Sequence, residues 1–204
     1  MLEFKKSSKT EQKAWVVAVD MGYGHQRTAY PLRYISPNGR VINANNYKGI
    51  PPIDKKLWQM SRQSYEFISR FRRVPFVGEK VWAVFDYFQR IMGYYPKRDL
   101  SKMSLNQWMP FFLIKRGWGK DLVKQLKEKP LPFVSTFFIP AFMAEQFNYP
   151  NDIYCVICDA DISRSWVSLN PKKSRIKYFA PCSWARDRLK LYGVKSENIF
   201  LTGY

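Results

Sequence analysis

The chain has 204 residues, and a hydrophobic content of 46% supplies a core for one sizeable domain, which excludes an intrinsically disordered protein. It carries 34 Lys and Arg against 16 Asp and Glu, a formal net charge of +18, and 17% of its residues are aromatic. This balance indicates an anionic partner such as nucleic acid, anionic lipid or a phosphate-bearing substrate, unless the basic surface serves only solubility. No apolar run has the length of about 18 residues that a transmembrane helix needs, so we expect none.

The first third of the chain predicts a strand, a glycine loop and a helix. Residues 1–13 are polar and predict a flexible lead. The apolar run 14–19 does not alternate, which is typical of a strand buried on both faces in a parallel sheet. Two glycines follow, and then the only histidine of the chain, His25. A helix is predicted over 25–35, with Pro31 as a kink or an early end.

The middle of the chain predicts a second strand at 41–44 and then a basic, aromatic helical region over 55–128. Its first part contains two amphipathic helices divided at Arg73-Val74-Pro75. Its second part predicts a helix that starts after an N-cap at Ser104, with breaks at Pro110 and Gly117.

The last third returns to short apolar strands. Strands are predicted at 133–136, 153–158, 176–179 and 199–202, and helices at 140–147 and 183–192. Ser183 is the predicted N-cap of the last helix, and Gly193 the residue that ends it. Strands that alternate with helices predict an α/β fold, a Rossmann-like open parallel sheet with helices on both faces, as one domain over 14–204.

Three cysteines are present, and two of them form a C-x-x-C at Cys155 and Cys158. Residues i and i+3 of a strand point to opposite faces, so this pair is interpreted as small core residues rather than as a redox or zinc site. An odd number of cysteines without a disulfide framework favours a reducing compartment. We expect no metal site.

Ligands of open α/β sheets bind beyond the carboxyl ends of the strands, which singles out two loops. In the first, Gly22 and Gly24 permit close approach of a phosphate or oxyanion to a helix start. His25 beside them could be a general base, could orient a phosphate, or could only cap the helix. In the second, Asp159 and Asp161 could bind a metal or a sugar hydroxyl, or could cap the next turn.

Two stretches resemble one enzyme family. The segment 16–32, VVAVDMGYGHQRTAYPL, resembles the N-terminal Gly-x-Gly-His loop of monogalactosyldiacylglycerol synthases and of the related N-acetylglucosaminyltransferase of peptidoglycan lipid-intermediate synthesis. The segment 154–204 is similar to the family's strand-end Asp, its downstream Trp and its I-x-x-T-G ending. Three positions depart from the pattern: Tyr23 replaces a glycine, Cys158 a threonine, and Arg164-Ser165 a histidine.

The resemblance implies the N-terminal half of a GT-B fold, carrying a helical insertion. In that fold the N-terminal domain binds the acceptor, a lipid or glycolipid, and the C-terminal domain binds the nucleotide-sugar. The chain ends at Leu201-Thr202-Gly203-Tyr204, where the family continues into the second domain. We therefore expect a fragment that is inactive alone and a hexosyltransferase when complete. No cofactor is expected in this domain, and a UDP-sugar donor is expected at the missing one.

The resemblance also implies roles for individual residues. His25 would be catalytic, either by deprotonating the acceptor hydroxyl or by steadying the leaving diphosphate. The acceptor and diphosphate contacts would be Gly22, Tyr23, Gly24, Gln26, Arg27, Asp159 and Trp166.

Family members are often peripheral membrane proteins. The resemblance therefore implies that the basic helices bind an anionic membrane surface at the cytoplasmic side. The predicted membrane-binding residues are Trp58, Arg62, Arg70, Phe71, Arg72, Arg73 and Trp82. The competing interpretation is an ordinary helical insertion whose aromatic side chains are core.

Two other functions fit parts of the sequence. A nucleotide-sugar epimerase of the same fold would share the glycine loop and the sheet. A nucleic-acid-binding module would explain the charge and the aromatic residues, but it ranks last because no recognition motif is present. The sequence does not specify the sugar, the nucleotide or the acceptor.

Overall fold

The computed structural model of the chain describes residues 13–71, 91–103 and 105–203. For residues 64–71 and 105–107 it describes the backbone alone. Six strands form one sheet, and every neighbouring pair is parallel. The strands are β1 (Trp15–Ala18), β2 (Ile42–Asn43), β3 (Phe133–Ser135), β4 (Ile153–Val156), β5 (Ile176–Ala180) and β6 (Ile199–Leu201). Their order across the sheet is β2-β1-β3-β4-β5-β6.

The described segments contain six α-helices and four short 3-10 helices. The α-helices are α1 (Tyr23–Ala29), α2 (Pro52–Phe71), α3 (Leu105–Lys115), α4 (Lys120–Lys127), α5 (Phe138–Gln146) and α6 (Ser183–Leu191). The 3-10 helices are Pro31–Ile35, Pro37–Gly39, Arg164–Trp166 and Ser196–Asn198.

Two apolar clusters lie on opposite faces of the sheet. Successive side chains of a strand point to opposite sides. Val16 and Ala18 of β1 pack with Ala29 of α1 on one side. Val17 belongs to the larger cluster on the other side, which includes buried residues of α2 to α6. The predicted α/β fold, with a parallel sheet between helices, is confirmed.

The helix after the first strand differs from its predicted bounds. It begins at Tyr23, two residues before His25, and the α-helical part ends at Ala29. The chain continues as a 3-10 helix from Pro31, so proline acts as an early end of α1.

The predicted break at Pro110 is wrong, because α3 continues through this residue. A proline inside a helix removes one backbone hydrogen bond, but packing holds α3 in place. Ile114 is buried, and the ring of Phe111 stacks on that of Phe142 with centroids 4.6 Å apart. The break at Gly117 is confirmed, since this glycine has φ +113° after the helix ends.

At α6 the predicted N-cap is wrong and the predicted C-terminal glycine is confirmed. Ser183 is the first helical residue, and Cys182 occupies the N-cap position without a side-chain cap. At the other end Gly193 has φ +87° and its N–H donates to the carbonyl of Lys190, while that of Val194 donates to Leu189. This is the Schellman pattern, which only a residue tolerant of left-handed backbone completes without strain.

Several predictions lie outside the described residues. These are the flexible lead over 1–12, the N-cap at Ser104, and the second amphipathic helix as far as residue 90. Residues 91–103 form neither helix nor strand. Within the described part of the chain, no helix is long and apolar enough to cross a membrane.

Candidate functional site

The strand order places between β1 and β3 the switch point at which open α/β sheets form a ligand-binding crevice. From β1 the chain moves to β2 at one edge of the sheet, and it then returns to β3 on the other side of β1. Loops that leave β1 and β3 therefore diverge, and the space between them at the carboxyl ends is where open α/β sheets bind ligands.

His25 lies in this crevice and joins its two sides. Its Nδ1 is 3.0 Å from the carbonyl oxygen of Thr136, the residue that follows β3. The hydroxyl of Thr136 donates in return to the carbonyl oxygen of His25 at 2.8 Å. This reciprocal pair fixes the start of α1 against the end of β3, although the two residues are 111 positions apart.

The bond to Thr136 determines which nitrogen of His25 carries hydrogen. A carbonyl oxygen can only accept, so Nδ1 must be the donor. In a neutral imidazole the lone pair is then on Nε2. No described residue forms a hydrogen bond with Nε2. This atom is also not sealed inside the protein, because it is not one of the fully buried polar atoms that lack a partner. The arrangement leaves an oriented ring whose basic atom can meet a ligand.

The surroundings of His25 favour its neutral form. Burial lowers the pKa of His25 below its ordinary value, and this effect outweighs the hydrogen bond with Thr136 and the charge of Asp159, which both raise it. A histidine with a lowered pKa is mostly neutral at neutral pH. It is therefore ready to accept a proton rather than to donate one.

Aromatic rings form an apolar wall beside His25. The ring of Phe137 lies 4.6 Å from the imidazole and that of Trp166 lies 6.1 Å from it. Phe138 packs on Trp166 at 5.3 Å. Trp166 is only 6% exposed, so it is held rigidly by the core. The wall can exclude water from one side of the crevice.

Cys158 is a site residue that sequence reasoning missed. Its sulfur is 3.2 Å from Nδ1 of His25. The C-x-x-C pair was interpreted as core, which is right for the fully buried Cys155 and incomplete for Cys158, which packs partly buried against the core and also contacts His25. The i, i+3 argument assumed a strand over 153–158, but β4 ends at Val156. The signal that could have found it was its position next to Asp159 at the strand end.

The thiol of Cys158 is not set up as a nucleophile. Burial, followed by the nearby charge of Asp159, raises the pKa of Cys158 to about 12. The thiolate is the reactive form of cysteine, so at neutral pH this residue is a protonated neighbour of the imidazole.

The two glycines of the loop have different reasons to be glycine. Gly22 precedes α1 with φ +127°, a conformation that other residues rarely adopt. Gly24 lies in the helix, and a Cβ there would meet nothing within 4 Å. Neither a positive φ nor a close neighbour accounts for glycine at position 24.

The other predicted contact residues near His25 lie on α1, where they face solvent or stabilise the preceding loop. Tyr23 is 78% exposed, and the guanidinium of Arg27 lies 5.8 Å from its ring centroid. Gln26 donates to the carboxylate of Asp20 at 3.0 Å. Because α1 has only seven residues, its dipole is small, and a diphosphate at this loop stays a prediction.

The two acidic residues that follow β4 have different surroundings. Asp159 contributes its charge to His25. Asp161 turns away and accepts two hydrogen bonds of 2.8 Å from Arg188 of α6, so it stabilises the fold. Among the described residues no group of three or more potential metal ligands occurs.

The predicted membrane-binding set is corrected at one position. Trp58 is 2% exposed and packs edge-on against Trp118 with centroids 4.6 Å apart, so it is a core residue and cannot reach a bilayer in this fold. Arg62 is half exposed, 3.8 Å from Asp20. The side chains of Arg70 and Phe71 and the residues Arg72, Arg73 and Trp82 lie outside the described part.

Comparison with protein-family models, with curated proteins and with solved structures finds no match to this chain.

Proposed function

We propose that the chain is the acceptor-binding domain of a GT-B glycosyltransferase, which moves a sugar from a nucleotide-sugar to a lipid or membrane-proximal acceptor. One observation carries the proposal. The two segments that resemble lipid glycosyltransferases, 16–32 and 154–204, meet at His25, where it contacts Cys158 from 133 residues away. Their meeting point is also the crevice in which the sheet order favours a ligand.

His25 serves in this proposal as the general base. The acceptor hydroxyl gives its proton to Nε2 as its oxygen bonds to C1 of the sugar. The bond from C1 to the nucleotide diphosphate breaks, and the diphosphate leaves with the electron pair. The hydrogen bond from Nδ1 to Thr136 keeps the ring in place, and the charge of Asp159 stabilises the imidazolium that forms.

The aromatic wall suits the acceptor class. Phe137 and Trp166 offer apolar surface next to a single basic atom. A hydroxyl at the end of an apolar body satisfies both features, and exclusion of water protects the activated sugar from hydrolysis. The donor would be held by the other domain of the GT-B fold, and the whole enzyme would act at a membrane surface.

Sugar transfer with a His25→Ala variant tests the proposal. The chain, together with any polypeptide that follows Tyr204 in its gene, is incubated with UDP-sugars and a short-chain diacylglycerol. We expect a glycolipid product whose rate of formation falls at least about a hundredfold in the variant, which is the scale of general base catalysis. Tyr95→Phe is the control, because Tyr95 is 71% exposed and lies outside α1.

Two results would reject the proposal. One is the absence of any glycosylated product with every UDP-sugar. The other is unchanged turnover in His25→Ala, which would remove His25 from the chemistry.

A further inference from the structure

The outer side of α1 and of the 3-10 helix after it is lined by exposed aromatic and cationic side chains. Tyr23, Tyr30 and Tyr34 are 78%, 62% and 71% exposed. Arg27 and Arg33 alternate with them, and the guanidinium of Arg33 lies 3.7 Å from the centroid of the Tyr30 ring. We call these five residues the tyrosine–arginine stripe.

The inward side of the same element packs against the sheet through aliphatic residues. Ala29 is fully buried, and Leu32 and Ile35 are partly buried against Val16 and Ala18 of β1. The element is therefore amphipathic, with aliphatic residues inward. The three exposed rings make no contribution to this inward packing, so together with the arginines they form a surface that is free to contact a partner.

The stripe lies in a segment with charge of one sign. Residues 21–53 contain four basic residues and no acidic one. The nearest acid before it, Asp20, accepts a hydrogen bond from Gln26 and lies 3.8 Å from Arg62. With a formal net charge of +18 for the chain, the surface attracts an anionic partner.

Shape and ring packing favour a bilayer over nucleic acid. Single-stranded nucleic acid binds in a basic groove with open ring faces on which bases stack. The stripe lies on the outward side of two short helices, and Arg33 already covers one face of Tyr30. Tyrosine rings with neighbouring arginines are suited to the headgroup level of a membrane.

We propose that the tyrosine–arginine stripe docks α1 and the following 3-10 helix lengthwise on an anionic bilayer. The inference rests on the proposed function in one respect, because a bilayer at the stripe would present a lipid-borne acceptor to His25 on the same helix. The stripe is a membrane contact outside the predicted helical insertion, in which Trp58 is buried.

Vesicle co-sedimentation of the full chain at low salt tests the stripe. The vesicles are equal parts phosphatidylglycerol and phosphatidylcholine, with pure phosphatidylcholine as the neutral comparison. We expect binding to the anionic vesicles only. Arg27→Gln with Arg33→Gln should weaken it on the order of 30-fold, as the loss of two interfacial cations implies. Tyr30→Ser with Tyr34→Ser should also weaken binding. Circular dichroism checks that these exposed substitutions leave the fold intact.

Matched variants locate the surface. Lys120→Gln with Lys124→Gln removes the same charge from the exposed side of α4, and Tyr95→Ser removes an exposed ring elsewhere. Both should retain binding to the anionic vesicles, and an equal loss in either would overturn the stripe as the docking surface. The proposal would be overturned if the wild-type chain did not bind anionic vesicles. It would also be overturned if the stripe substitutions weakened binding to a single-stranded oligonucleotide and not to vesicles. Vesicle binding is measured on the wild-type chain without donor or acceptor, so failure of the catalytic proposal is seen separately.

Discussion

Gly24 is the residue of the site whose identity is least explained by the fold. It lies in the first turn of α1, it is exposed, and the space around its missing side chain is open. Glycine in a helix costs roughly 1 kcal/mol relative to alanine. Under the proposed function, an acceptor that approaches the backbone at the start of α1 would account for this glycine.

Gly24→Ala is therefore expected to separate stability from function. The free energy of unfolding should rise by up to about 1 kcal/mol, because alanine favours the helix and meets no neighbour. Sugar transfer should fall, since the new methyl group occupies the space above the helix start. Urea unfolding and a transfer assay measure the two effects, and a variant that is more stable and equally active would contradict the role of Gly24.

At the level of elements, α6 is tied to the segment 91–103 by Arg188. This guanidinium is buried, and it donates to both carboxylate oxygens of Asp161 and to the carbonyl of Met92. It also lies 5.4 Å from the ring centroid of Tyr94. One side chain thus fixes the β4 loop, α6 and an irregular segment to one another.

Arg188→Met should destabilise the protein by about 3 kcal/mol, because it leaves Asp161 partly buried without its cation. Arg186→Met is the control two residues away on the same helix. Its ion pair with Asp187 is about one third exposed, and pairs of this kind contribute less than about 1 kcal/mol. Urea unfolding of both variants measures the difference, and equal destabilisation would refute the anchoring role of Arg188.

At the scale of the whole molecule, the carboxyl ends of β1, β3 and β4 bring the site together. The parallel sheet was predictable because short apolar runs separated by helical patterns are local features of the sequence. The contact of His25 with Thr136 was not, because the pairing of β1 with β3 depends on strand order. Trp58 was misassigned for a related reason, since an amphipathic pattern does not say which neighbour covers its apolar side.

The chain has a single histidine, which allows the central claim to be measured without assignment ambiguity. The claim is that His25 is a neutral base with its hydrogen on Nδ1. Nitrogen-15 NMR of the imidazole over a pH titration reports both the tautomer and the midpoint. The lowered pKa places protonation below the ordinary histidine value of about 6.5, so the neutral form persists at neutral pH and is lost only on further acidification.

We predict a neutral ring with hydrogen on Nδ1 at neutral pH, a midpoint below about 6.5, and a Thr136→Val variant that is unchanged in tautomer because the backbone carbonyl remains. An imidazolium at neutral pH, or a ring with its hydrogen on Nε2, would contradict the account, because His25 would then have no lone pair for the acceptor hydroxyl.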